Sequence, residues 1–121
     1  MSKYLKFAFV GVFIMGLFGS LFASGPSARA EQAWQEIASG AVVVDVRTPA
    51  EFASGHVKGA INIPLDQVAQ GFAKYDKNTN IVVYCRSGNR SGQAQSFLLQ
   101  NGFTKVHNGG GVSEMLEAEP K

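Results

Sequence analysis

Two stretches of the chain, Val42 to Val46 and Ile81 to Cys85, are short and almost uninterrupted apolar runs rich in β-branched residues. Such runs read as strands covered on both faces, and double coverage favours parallel pairing. Ala60-Ile61-Asn62-Ile63 before Pro64, and Lys105-Val106-His107 after Gly102-Phe103, read as two shorter strands. Helical signals lie between them. Thr48-Pro49-Ala50-Glu51 joins a capping threonine, a proline at the first helical position and a glutamate three residues after the cap, so a helix starts there and ends by Gly55. Leu65, Val68 and Phe72 recur at helical spacing, and the polar stretch from Asp76 to Asn80 leads to the next strand. Ala94, Phe97 and Leu98 form one apolar face of a helix from about Ser91 to Asn101, stopped by Gly102. Trp34 and Ile37 sit on the apolar face of an opening helix, and Val112, Met115 and Leu116 predict a short last one. Strands alternating with helices give an α/β domain with a mostly parallel sheet and helices on both sides. In such folds ligands bind beyond the carboxyl ends of the strands, here just after Val46 and Tyr84.

The first thirty residues follow another pattern. A basic stretch, Met1 to Lys6, leads into an apolar run from Phe7 to Ala23 that carries Gly11, Gly16 and Gly19. The run falls just short of the roughly 20 residues a spanning helix needs, and the layout is that of a secretory signal rather than an anchor. Ala28-Arg29-Ala30 places small residues where a signal peptidase reads them. The expected organisation is therefore a cleavable signal over 1–30 and a single domain over 31–121. The product is exported, to the periplasm, with no stable membrane association after cleavage.

Processing changes the charge balance. The chain has 121 residues with 11 basic and 9 acidic side chains, a net of +2. Loss of Lys3, Lys6 and Arg29 turns this to −1 against the same acidic residues, so no nucleic-acid or anionic-membrane partner is implied. One cysteine, Cys85, excludes an internal disulfide, and with only His56 and His107 beside it no metal site of ordinary ligand spacing is expected. A free thiol in an exported protein is either buried and inert or kept for its reactivity.

The residues after Cys85 favour reactivity. Arg86-Ser87-Gly88-Asn89-Arg90 joins the best strand to the helix of Ala94, Phe97 and Leu98. A tight strand-to-helix loop turns successive N–H groups toward one point, and the helix dipole adds positive charge there, so thiolate is favoured over thiol. Arg86 and Arg90 strengthen the effect and could engage the oxygens of an anionic substrate, while Gly88 permits the turn. A core edge would be poorly served by these polar neighbours. Arg47 has two readings, a structural ion pair with Asp45 or a second cation at the mouth of the site, and the structural one is favoured. His56 reads as a packing and hydrogen-bonding residue at a turn, since a preformed thiolate needs no base. Ser87 and Ser91 could donate to a bound anion or cap the helix, with capping favoured for Ser91.

Taken in order, Asp45-Val46-Arg47-Thr48-Pro49-Ala50-Glu51-Phe52, Gly55-His56-Val57-Lys58-Gly59-Ala60-Ile61-Asn62-Ile63-Pro64, Val83-Tyr84-Cys85-Arg86-Ser87-Gly88-Asn89-Arg90-Ser91 and the closing Gly102-Phe103 with Gly109-Gly110-Gly111 resemble the rhodanese (thiosulfate sulfurtransferase) family, in particular its small exported single-domain members. The resemblance covers most of the chain after residue 30. It implies a three-layer domain with a central mostly parallel sheet flanked by helices. It implies that Cys85 attacks the outer sulfur of thiosulfate or a similar small anionic donor, releases sulfite and becomes a persulfide, which cyanide or a thiol then discharges. It implies no metal or organic cofactor, a persulfide cradle built from the Arg86 to Arg90 backbone, and arginine side chains that meet substrate charge. The six-residue loop from Cys85 to Arg90 is the length associated with sulfur substrates in that family. Val112-Ser113-Glu114-Met115-Leu116 lacks the tryptophan many relatives carry, so the final helix is expected to pack differently.

Two rival readings remain. Cysteine phosphatases and arsenate reductases also place a cysteine before a helix, but their arginine falls six residues on, where this chain has Ser91. A persulfide carrier or protein-binding module of the same fold would share the first half-reaction without turning over free thiosulfate.

Overall fold

The computed structural model describes residues 25–121, so the basic and apolar segment on which the secretion signal rests lies outside the described residues. The elements are α1 (Ala28–Ala38), β1 (Val42–Asp45), α2 (Pro49–Ala53), β2 (Ile61–Asn62), a 3₁₀ turn (Leu65–Gln67), α3 (Val68–Gly71), β3 (Asn80–Cys85), α4 (Asn89–Gln100), β4 (Lys105–Gly111) and α5 (Val112–Glu117). All four strands join one sheet in the order β2-β1-β3-β4, and every pairing is parallel.

Alternation along the two central strands divides the core in two. Val44 and Val46 of the first run, with Ile81, Val83 and Cys85 of the second, face Phe72, Ala94, Leu98 and Phe103 beneath α3 and α4. Val43, Val82 and Tyr84 face the other way, against Ala30, Ala33 and Met115 of α1 and α5. Strands apolar on both faces are thereby buried on both faces, and the three layers follow. The final helix reaches its place through Met115, fully buried, and through Trp34 Nε1, which donates to Met115 O at 2.8 Å.

Three elements differ from their sequence expectations. The Leu65 to Phe72 segment is a 3₁₀ turn and a four-residue helix, because Leu65 N is bonded to Val46 O and holds the turn against the end of β1. The fourth strand-like run, Lys105 to His107, continues to Gly111. It does so past a bulge, where Val83 faces Asn108 and Tyr84 faces Gly110. The skipped Gly109 lies where a Cβ would come 2.7 Å from Met115 Sδ, so only a glycine brings the strand this close to α5. Finally, α1 begins at Ala28, capped by Ser27 Oγ on Ala30 N, so the helix runs through the Ala30–Glu31 junction expected to be cleaved.

α2 has the capping box its sequence announces: Thr48 Oγ1 accepts from Glu51 N at 3.2 Å and Glu51 Oε1 accepts from Thr48 N at 3.0 Å. Behind it, a buried polar group ties β1 to the following loop. Asp45, fully buried, accepts from Arg47 N at 2.9 Å and from the Arg47 guanidinium at 2.7–3.0 Å, and Arg47 Nη2 also donates to Gly55 O at 2.7 Å. Tyr84 lies under this guanidinium, 5.9 Å from ring centre to Cζ, and its hydroxyl accepts from the buried Val57 N at 2.9 Å. Removing that hydroxyl leaves a buried N–H without a partner. Tyr84→Phe is expected to cost about 1–3 kcal/mol in urea unfolding, and a cost near zero would show that Val57 N finds another acceptor.

Candidate active site

Cys85 ends β3 with no exposed surface, and α4 begins four residues later. Three donors converge on its sulfur: Gly88 N at 3.0 Å, Ser91 N at 3.4 Å and Ser91 Oγ at 3.3 Å. Gly88 takes φ +100°, a left-handed conformation that turns its N–H back toward Cys85 and that side-chain-bearing residues rarely adopt. No side chain of the cap position serves α4. Cys85 Sγ does so instead, because it accepts the N–H at the third helical position, the bond an N-cap oxygen ordinarily makes. The expected capping role of Ser91 is thus taken by the sulfur. Ser91 lies inside the first turn, fully buried, with its hydroxyl turned to Cys85 Sγ and to Asn108 Oδ1 at 2.8 Å.

Burial alone would raise the Cys85 pKa; hydrogen bonds from the Ser91 hydroxyl and from the backbone at Ser91, Ser87 and Gly88 outweigh it, and the thiol is held below its ordinary value. Thiolate is therefore more favoured in the folded chain than in the unfolded one. Folding stability rises with pH from the lowered pKa of the folded state to the ordinary thiol value.

The loop arginines divide by their partners. Arg90 is bound by both nitrogens to Glu51, at 2.8 and 3.1 Å, which with the Thr48 contacts holds the Glu51 carboxyl at about 2. That pair fastens the start of α4 to α2. Arg86 is exposed, and among the described residues its side chain makes no hydrogen bond or ion pair. Ser87 and Asn89 are also exposed at the mouth, and Gly88 is buried in the loop. Arg47 is committed to Asp45 and Gly55 and lies in the core beside Tyr84 rather than at the mouth. His56 stacks on Phe52 with ring centres 3.7 Å apart, and its Nδ1 lies 2.9 Å from Phe52 O.

Asn108 carries no signal in the sequence, yet it braces the cradle from the neighbouring strand. Its Nδ2 donates to Gly88 O at 3.1 Å, while its Oδ1 accepts from Gly110 N and lies 2.8 Å from Ser91 Oγ, where it competes with Cys85 Sγ for the one hydroxyl proton. Nothing in the local pattern of Asn108 announces this, because the contact depends on the pairing of β4 with β3 that sets Asn108 opposite Val83. Among the described residues no group of three or more His, Cys, Asp or Glu side chains is placed to hold a metal.

Ser91→Ala removes the one side-chain donor to the sulfur. The midpoint of the Cys85 thiolate titration, followed by ultraviolet absorbance, is expected to rise by on the order of one pH unit. An unchanged midpoint would show that the hydroxyl serves only Asn108.

Residues 29–118 match the family model described as a rhodanese-like domain. The thiosulfate sulfurtransferase PspE of Escherichia coli is 45% identical over 80 residues, covering 64% of this chain and 75% of its own. The thiosulfate sulfurtransferase GlpE of Pseudomonas aeruginosa strain LESB58 is 40% identical over 85 residues, covering 70% and 77%. Among solved structures, a rhodanese with anions from E. coli superposes with a TM-score of 0.57 at 43% identity, over 62% of this chain and 91% of that one. The human single-domain sulfurtransferase TSTD1 gives 0.66 at 28% identity, over 74% and 93%.

Proposed function

The chain belongs to the rhodanese family, and we propose that it carries sulfane sulfur from thiosulfate, or a donor like it, through a persulfide on Cys85 to cyanide or a thiol. It is a sulfurtransferase, the activity named for its relatives PspE and GlpE. The observation that carries the reading is the convergence of Gly88 N, Ser91 N and Ser91 Oγ on Cys85 Sγ.

In the first half-reaction the Cys85 thiolate attacks the outer sulfur of thiosulfate. The S–S bond of the donor breaks, its electron pair leaves with sulfite, and Cys85 becomes a persulfide anion. The terminal sulfur of the persulfide stands one S–S bond beyond Sγ, at the mouth of the loop whose N–H groups face the site, so the negative charge moves outward while the donors around Sγ stay fixed. In the second half-reaction cyanide, or a thiolate, attacks that terminal sulfur and Cys85 leaves as thiolate. No proton has to move in either step with an anionic acceptor, and the cycle runs without a metal or organic cofactor. Arg86 is the side chain free to meet the sulfonate oxygens at the mouth. The basic and apolar opening of the chain supports export to the periplasm, where the domain acts free of the membrane. Among the described residues no helix is long and apolar enough to cross a membrane.

Intact-mass spectrometry tests the cycle. After incubation with thiosulfate the protein is expected to gain one sulfur atom, lose it on addition of cyanide, and gain none as Cys85→Ser; a serine variant with near-normal turnover would sink the mechanism. Arg86→Ala is expected to raise the KM for thiosulfate about tenfold while the melting temperature hardly moves. Unchanged kinetics would assign the anion to the backbone alone.

A further inference from the structure

The stretch Ser27 to Ala30, read from sequence as the end of a removable signal, is built into the domain beside the sulfur loop. Ala30 is fully buried among Ala33, Val82 and Met115, and Arg29 O is 2.8 Å from His107 Nε2 on β4. The Arg29 side chain spans from α5 to the loop. Its Nε and Nη2 donate to both oxygens of Glu114, at 2.9 and 2.7 Å, and Nη2 also donates to Ser87 O at 3.1 Å. Glu114 Oε1 in turn accepts from Gly111 N at 2.9 Å.

Two glycines make room for the guanidinium. A Cβ on Gly88 would stand 2.6 Å from Arg29 Nη2, and one on Gly110 would stand 2.5 Å from Arg29 Nε. Gly88 is the residue whose N–H meets Cys85 Sγ, and Ser87 O belongs to the peptide unit that carries that N–H. An Arg29 bond to Ser87 O therefore fixes the orientation of the peptide that faces the sulfur, and it draws electron density from that N–H group's own carbonyl.

We propose that Arg29 is a positioning residue for sulfur transfer, which locks the Ser87–Gly88 peptide against Cys85 by bridging it to Glu114. The proposal rests on the sulfurtransferase reading of the same site. It requires that the working protein retain Arg29, and processing after Ala30 would remove it. The attraction between Arg29 and Cys85 acts in the same direction as the bond, since a cation beside the loop favours thiolate. Glu114 screens part of that charge.

The full-length gene is expressed with export intact, and the first residue of the purified protein is read by intact mass. A chain that still contains Arg29 is expected; one that begins at Glu31 overturns the proposal. On that protein, Arg29→Gln is expected to raise the midpoint of the Cys85 thiolate titration and to lower kcat for thiosulfate about tenfold. Arg29→Lys keeps the charge but loses the fork, so it is expected to restore the midpoint more fully than the turnover. If Arg29→Gln does not fold, Arg29→Met, which keeps an apolar stem and loses both the charge and the fork, is measured instead, with a shift in the same direction. An unchanged midpoint and unchanged turnover in a folded variant overturn the proposal, whatever happens to the melting temperature. The titration needs no substrate. A parent protein that binds no sulfur from thiosulfate would refute the sulfurtransferase reading, while the thiolate midpoints would still decide the role of Arg29.

Discussion

A sulfur anion at the buried end of a strand can persist only where fixed donors replace the water it has lost. Cys85 has no exposed surface, and everything around it answers that need. Gly88 turns left-handed so that its N–H faces back, and α4 begins where its first free N–H groups reach the sulfur. The sulfur and the helix thus satisfy each other, the sulfur as the cap and the helix as the source of donors. A persulfide keeps the same negative charge one atom further out. In the proposed cycle the donors around Sγ are held by the fold and stay in place through both half-reactions.

The positions of the arginines follow from the carboxylates they meet. Arg47 is drawn inward by Asp45, whose own burial leaves it no other counter-charge, and the pair joins β1 to the loop at Gly55. Arg90 is held by Glu51, which the α2 capping box has already set in place. Arg29 is held by Glu114 across the loop from it. Arg86, which among the described residues forms no ion pair, is exposed beside the loop. These four arginines therefore do different work. Three fix elements, and one stays exposed.

Glycine governs how closely the supports approach. The bulge at Gly109 lets β4 pass close to α5, while Asn108, the last residue of the regular register before it, meets Gly88 O and Ser91. Gly88 and Gly110 leave the slot in which the Arg29 side chain lies. These contacts hold the rear of the loop, and the conformational freedom that a loop of this composition would otherwise have is removed from behind rather than from the substrate side.

Much of this was legible in the chain. The two β-branched runs gave the central strands and their double burial, the Thr48 to Glu51 pattern gave α2, and the place of Cys85 between a strand and a helix gave the sulfur site, since each depends on neighbours in sequence. The bulge in β4, the short turn at Leu65, the sulfur's role as the cap of α4, and the places of Asn108, Arg29 and Glu114 were not legible there. Arg29 is 58 residues from Ser87 and 85 from Glu114, and no local period or motif records such a meeting. The sequence by itself determined which residues could carry the charge and the single thiol, because side-chain chemistry and local backbone preference are properties of short segments. Which arginine pairs inward, which strand braces the loop and which turn of helix covers it were decided only by tertiary packing, because those choices depend on distances between segments that the order of residues does not contain.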